Sequence, residues 1–372
     1  MSDAGARPTL PRRDWILLPL VAAATALVFL IATEGASRLI WPESKVDRCS
    51  TEGGAPRPKP NCVSHDKAAE GPWAETRFNE CGYRGTGSCR PASPGTARMA
   101  VLGSSISWGY MIPFEDVWSV KATKTLGARC GHPIDVQSLG GFGNLSQVAA
   151  RTPEAIALHP QLVALVVAPF DLSKLPSGGF DPAHGLQAPP PAPPAHPSLR
   201  DRARSLLSDS RAATIALHYT YGNAELYTAN HLKYDGDVSG YLRSPMPQAW
   251  RDRLDVVNAA VAYIGLRLKP TGAPLLLVYS PSLLQADLIA GRKTISGIDP
   301  EAIDRDLAWI AKRNGALFAD GGAVFARVRN APDYFYRADG HPNSAGQALL
   351  GRVVEDAILG AAPPALCQAL AQ

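Results

Sequence analysis

The chain has 372 residues, enough for one large domain or two ordinary ones. Its 37 basic and 33 acidic residues leave a formal charge of only +4, and the basic residues do not gather beyond pairs such as Arg12-Arg13, so the field gives no reason to expect a nucleic-acid partner. Glycine and proline, 33 of each, point to many turns and long loops around the regular elements.

In chain order, residues 1–14 form a short N-terminal segment carrying Arg7, Arg12 and Arg13. From Trp15 to Thr33 the sequence WILLPLVAAATALVFLIAT runs without a charge, close to the ~20 residues a helix needs to cross a bilayer core. The arginines before it keep the N-terminus cytoplasmic. A cleaved signal peptide is the competing reading, but the run ends in ATEGAS with no A-x-A site, which favours an uncleaved single-pass anchor in an inner membrane of bacterial type. Everything beyond it is then exported, to the periplasm or cell exterior. Residues 34–97, rich in Pro, Gly and Cys, read as an irregular stalk or cap held by disulfides. Six cysteines stand at 49, 62, 81, 89, 130 and 367, with no C-x-x-C pair or clustered histidines to suggest zinc. Six cysteines allow 15 connectivities. The short spacings favour Cys49 with Cys62 and Cys81 with Cys89, leaving Cys130 for Cys367.

From residue 98 to 372, short apolar runs alternate with helical patterns. MAVLG at 99, IDVQS at 134, LVALVVA at 162, PLLLVYS at 274 and ALFAD at 316 are nearly continuous in apolar residues, as strands buried on both faces should be. Amphipathic helices are expected around 116–127, 145–158, 248–268 and 300–314, with a last one from Ser344 to Leu359. The alternation predicts a three-layer α/β/α domain with a five-stranded parallel sheet. An insertion at 172–247 contains the proline-rich QAPPPAPPAHPS, expected to be extended and exposed, and a partly helical remainder that can cover the carboxyl edge of the sheet.

Ligands of an open parallel sheet bind at the carboxyl ends of its strands. The first strand ends within RMAVLGSSISWGYMIPFEDVW, residues 98–118, at Gly103-Ser104-Ser105. Near the C-terminus, YRADGHPNSAGQALLGRVV places Asp339 two residues before His341, close enough to orient an imidazole that activates a serine.

These stretches resemble the SGNH, or GDSL-type, esterase and acyltransferase superfamily, over most of the chain from about Asn79 to Leu359. NECGYRG and the segment around Ser105 are similar to its lead-in and first block, VQSLGGFGN to its second, and DGHPNSAG to its last, in a branch with DGHxN. The resemblance implies a flavodoxin-like fold, Ser105 as nucleophile, His341 as base and Asp339 as its orienting acid. It also implies an oxyanion hole made by the backbone N–H groups of Ser105 and Gly143. Two departures stand out. The Asp of the family's Gly-Asp-Ser is Ser104 here, and VVAPFDLS puts Phe170 where the third block carries an oxyanion-binding Asn. Asn144 is a candidate substitute donor, though a turn role suits it as well.

Trp108 can stack on a sugar at the pocket mouth or simply pack. Asp320, ending the fifth strand, reads as a turn or cap residue. His218, His231 and Asp235 in the insertion can shape a lid, bind substrate or lie on the surface. P-loop, dinucleotide-binding and HExxH motifs do not occur, so neither cofactor nor metal is expected. The resulting expectation is a membrane-anchored, exported serine esterase acting on an acylated small molecule, envelope glycan or lipid. An O-acyltransferase of the same fold, or a catalytically degenerate glycan-binding relative, is the alternative.

Overall fold

A computed structural model describes residues 11, 13–42, 49, 58–140, 144–173, 175, 180–183, 209–292, 294–360 and 367. A central sheet runs in the order β3-β5-β4-β6-β7-β8. Its five parallel strands are β4 (Ala97–Leu102), β5 (Ile134–Ser138), β6 (Leu162–Val167), β7 (Leu275–Tyr279) and β8 (Leu317–Asp320). They coincide with the five apolar runs. Every residue of β4, β6 and β7 is buried, the pattern of strands covered on both faces.

The period of two divides those strands between two cores. Ala100, Leu102, Val163, Leu165 and Leu277 face one side, where they meet α4 (Leu145–Ala150), α5 (Thr152–Ala157), α9 (Gln248–Leu268), α10 (Leu283–Ala290) and α11 (Ala302–Arg313). Met99, Val101, Ala164, Val166 and Val278 face the other, against α3 (Trp118–Cys130) and α12 (Ser344–Gly360). Trp118, Ala122, Leu126, Val354 and Ile358 fill that second layer. Because β5 lies on one side of β4 and β6 on the other, the winding reverses beside β4. The crevice of a doubly wound sheet opens at that reversal, past the carboxyl ends of the strands.

The sheet has six strands, one more than expected. The addition is β3, only Arg84–Gly85, which pairs antiparallel with β5 through Arg84↔Ser138 and Gly85↔Gln137. Two residues carry no readable periodicity. The region before it is also more regular than a stalk: β1 (Val63–Lys67) and β2 (Trp73–Arg77) form an antiparallel hairpin. Disulfides join Cys49–Cys62, Cys81–Cys89 and Cys130–Cys367, with Cα separations of 5.6, 6.2 and 5.0 Å that suit the bond.

Helix α1 (Asp14–Ile40) has 27 residues, about 40 Å at ~1.5 Å per residue. Its apolar stretch is exposed, covered by none of the described residues, and its length and composition suffice to cross a membrane. Its last turns dock on the insertion, where α7 (Arg211–Thr220) and α8 (Ala224–Tyr234) lie. The Glu34 carboxylate accepts from Ser210 Oγ (2.8 Å) and from the N–H groups of Arg211 (2.9 Å) and Ala212 (3.0 Å), satisfying donors that the first turn of α7 leaves open. The proline-rich stretch of the insertion lies outside the described residues.

Candidate active site

β4 ends at Gly103, whose φ of +153° and close surroundings exclude a side chain: a Cβ there would stand 2.8 Å from Ser107 Cβ and 3.0 Å from Val166 Cβ. The chain then turns into α2 (Ser105–Trp108), so Ser105 opens a helix and its N–H has no helical acceptor. Arg84, on the edge strand β3, holds the far side of this turn. Its buried guanidinium donates to the carbonyls of Trp108 and Gly109, both at 2.7 Å, and of Ile112 at 2.9 Å. Burial brings the Arg84 pKa down to about 10, which leaves it cationic at neutral pH. Ser104, in the place of the family's aspartate, is buried, and its hydroxyl has no partner among the described residues.

The other half of the site comes from the loop before α12. Gly340, at φ +91°, reverses the chain between Asp339 and His341, a conformation that other L-residues rarely adopt. Its N–H donates to the Tyr336 carbonyl (2.6 Å), and the Tyr336 N–H donates to the His341 carbonyl (2.9 Å). Asn343 Oδ1 then accepts from the N–H groups of Ala345 and Gly346 and caps α12.

The two halves meet. Ser105 Oγ lies 2.8 Å from His341 Nε2, and His341 Nδ1 lies 2.5 Å from Asp339 Oδ1. An ionised carboxylate only accepts hydrogen bonds, so Nδ1 carries the proton and donates it to Asp339. Nε2 is left to accept the serine hydroxyl. Asp339 Oδ1 also accepts from the His341 N–H (3.1 Å), which ties the acid to the backbone of the residue it orients. Residues 236 apart in sequence thus form one Ser-His-Asp relay at the carboxyl edge of the sheet.

A cavity of about 160 Å³ opens beside Ser105 and His341. Phe170, Tyr227, Val238, Tyr241, Leu283 and Leu284 give it largely apolar walls, contributed by the insertion, by α10 and by α6 (Pro169–Ser173). Burial pushes the Tyr227 and Tyr241 hydroxyls above the usual tyrosine range, so both stay neutral at any working pH. Phe170 is 53% exposed and stands on the cavity wall, presenting an apolar ring.

The other candidates separate. Asn144 is the N-cap of α4: its Oδ1 accepts from the Gln147 N–H (3.1 Å) while Gln147 Oε1 accepts from the Asn144 N–H (2.8 Å). That reciprocal capping box makes Asn144 the cap of α4 through its Oδ1, the turn role that its sequence also allowed, and Asn144 is not among the residues that line the cavity. Gly143 lies outside the described residues. Trp108 packs: it is buried against Phe78 (5.6 Å between ring centroids) and the Cys49–Cys62 region, and it is not among the residues that line the cavity. An indole beside a strand end has more apolar area to bury than to present. Asp320 accepts from the N–H groups of Gly322 and Ala323 and so caps a turn. His231 stacks on Tyr227 at 3.8 Å, whereas Asp235 lines the cavity and His218 meets Glu70. Tyr110 went unnoticed in the sequence, yet its ring lies edge-on to that of His341 at 5.4 Å. No short-range signal marks it: Gly109, just past the end of α2 at φ +76°, turns the chain between Trp108 and Tyr110.

No family model matches the chain, and no curated protein matches it. Solved structures do. One is a variant of Axe2, an acetylxylan esterase from Geobacillus stearothermophilus, with 16% identity, 71% of this chain and 94% of that chain covered, and a TM-score of 0.40. LAE5, an alpha/beta hydrolase enzyme from the metagenome of Lake Arreo, Spain, gives 13% identity over 76% of this chain and 99% of that one, at a TM-score of 0.40. A G-D-S-L family protein from Desulfitobacterium hafniense gives 12% identity over 70% and 99%, at 0.35. These are likenesses of fold, and the chemistry rests on the side chains described above. In the blocks of its sequence the chain resembles the SGNH/GDSL-type esterases and acyltransferases.

Proposed function

We propose that the chain is a serine ester hydrolase that works through an acyl-enzyme. The observation that carries this reading is the unbroken relay from Ser105 Oγ through His341 to Asp339 on the wall of an apolar cavity. His341 Nε2 takes the serine proton as Oγ attacks the ester carbonyl, Asp339 stabilises the imidazolium, and His341 returns the proton to the leaving alcohol. Water, activated by the same histidine, then releases the acid. The N–H of Ser105 is one donor to the oxyanion, and Gly143 is the second by the family resemblance.

The apolar cavity suits the acyl part of the substrate, with the alcohol part toward solvent. A sugar or lipid hydroxyl in place of water would make the same chemistry an O-acyl transfer. The apolar length of α1 and the three disulfides support an exported domain tethered by a single span, whose substrate is an acylated envelope glycan or lipid. A fluorophosphonate probe is expected to label Ser105 in the full chain. Ser105→Ala and His341→Ala should each abolish aryl-ester hydrolysis, and the double variant should cost little more, because members of a relay act as a unit. Wild-type protein that neither takes up the probe nor turns over an ester would defeat the reading.

A further inference from the structure

The loop that carries Asp339 and His341 is held from outside the α/β domain. Glu70 sits in the turn of the β1–β2 hairpin, and its side chain is only 3% exposed. One carboxylate oxygen, Oε2, accepts from the backbone N–H groups of Ala338 (2.9 Å) and Asp339 (3.0 Å). The other, Oε1, meets His218 Nδ1 on α7 at 2.7 Å. The His218 ring in turn lies edge-on to Trp41, just past the end of α1, at 4.9 Å. Lys67 stiffens the hairpin turn by donating to the carbonyls of Ala68 and Gly71. Gly71 packs directly on the Tyr336 ring at the start of the catalytic loop, so closely that a Cβ would stand 3.0 Å from the hydroxyl.

Adjacent N–H groups in a sharp turn have no strand or helix to accept from them. A buried carboxylate that takes both makes charge-assisted bonds and fixes the peptide plane on which Asp339 stands. That plane sets where Asp339 Oδ1 points, and hence the His341 ring that reaches Ser105. We infer that Glu70 is a positioning residue for the Asp339–His341 pair, and that it joins the N-terminal hairpin and the insertion helix to the active-site loop. This rests on the proposed function insofar as it concerns rate; the arrangement of the pair itself can be read independently.

Full-length protein in detergent micelles provides the test, with kcat and KM for an aryl ester, the downfield proton resonance of His341 Nδ1, and the thermal midpoint measured together. Glu70→Ala is expected to lower kcat by about 10- to 100-fold, the scale of a small misplacement of reacting groups, with KM within about twofold of wild type. The Nδ1 resonance should weaken or move upfield. Glu70→Gln keeps an acceptor oxygen and should restore kcat to within about threefold and preserve the resonance. If Glu70→Ala does not fold, Glu70→Asp decides: its carboxylate is drawn back by one methylene, so a folded protein with lowered kcat and an altered resonance is expected. Wild-type kcat and an unmoved resonance in folded Glu70→Ala or Glu70→Asp would overturn the inference. A wild-type chain that shows the resonance but no turnover would defeat the hydrolase reading, and Glu70 would still be judged by the resonance alone.

Discussion

By the resemblance proposed above, Phe170 takes the place of the asparagine that completes the family's oxyanion hole. Its ring stands on the cavity wall, 53% exposed, and Asn144, the last residue of the second block, caps α4 through its Oδ1. Removing one such donor from a complete hole costs about 100- to 1000-fold in kcat, so restoring one has room to act. Phe170→Asn is expected to raise kcat for a short aryl ester by roughly tenfold or more, with the gain below the full range because the new amide is not held by a shell built for it. Steady-state kinetics check this. An unchanged or lowered kcat would mean that the oxyanion is already fully bonded and that the new amide is simply a buried polar group without a partner. Ser105, Asp339 and His341, the proposed nucleophile, acid and base, could be picked out as candidates from the sequence because they sit at glycine- and serine-rich turns where strands and loops end. Tyr110 and Glu70 could not, since an aromatic residue or a carboxylate in a loop looks the same whether or not it touches a histidine.

The elements behind the site carry a second titratable cluster that the chemistry does not use. Asp304 on α11 is buried, and its carboxylate oxygens accept from Gln285 Nε2 of α10 at 3.2 and 3.0 Å. Gln285 Oε1 accepts from the Tyr279 hydroxyl of β7 at 2.5 Å. Burial, with Asp320 nearby as a second cause, pushes the Asp304 pKa up to about 8. The unfolded chain ionises near 3.8, so between that pH and about 8 the folded state holds a proton that the unfolded state has lost. The contribution is fully present below pH 3.8 and fades as pH rises through the window, on the order of 3–6 kcal/mol in all. Asp304→Asn, neutral at every pH, is expected to flatten the pH dependence of stability between pH 5 and about 8 and to leave the protein more stable than wild type at pH 8. Urea denaturation at several pH values measures it; parallel wild-type and variant curves would show that Asp304 ionises normally. None of this was legible in the sequence, where Asp304 is one of several acids on the outer turns of an amphipathic helix. Its burial depends on Gly322, where a Cβ would stand 2.8 Å from the carboxylate.

Three disulfides hold the molecule together over very different spans. Cys81–Cys89 closes 8 residues, whereas Cys130–Cys367 closes 237 and ties the end of α3 to the region beyond α12. In the chain-entropy account the long closure restricts the unfolded chain by about 5 kcal/mol, roughly twice the effect of the short one. Replacing both Cys130 and Cys367 by Ser is expected to lower unfolding stability by about 2–5 kcal/mol, and more than the same change at Cys81 and Cys89. Chemical denaturation of the oxidised proteins would show it. Equal losses for the two pairs would point to local packing as the source of stability in both.

Strands read correctly because a strand buried on both faces must be apolar at nearly every position, and that demand is local. The same holds for the apolar run of α1, for the short cysteine spacings, and for the glycine turns that deliver Ser105 and His341. β3 escaped notice because two residues make no pattern; it exists only because the edge of β5 accepts it. Trp108 allowed a stacking platform but read more readily as packing, and it lies packed with Phe78 and Cys49. Glu70 and Asp339 are 269 positions apart, and no composition, period or spacing links them. Short-range signals follow from what each residue requires of its own backbone and burial. Contacts between distant segments follow from how whole layers pack, and the residues that support the active-site loop belong to that second kind.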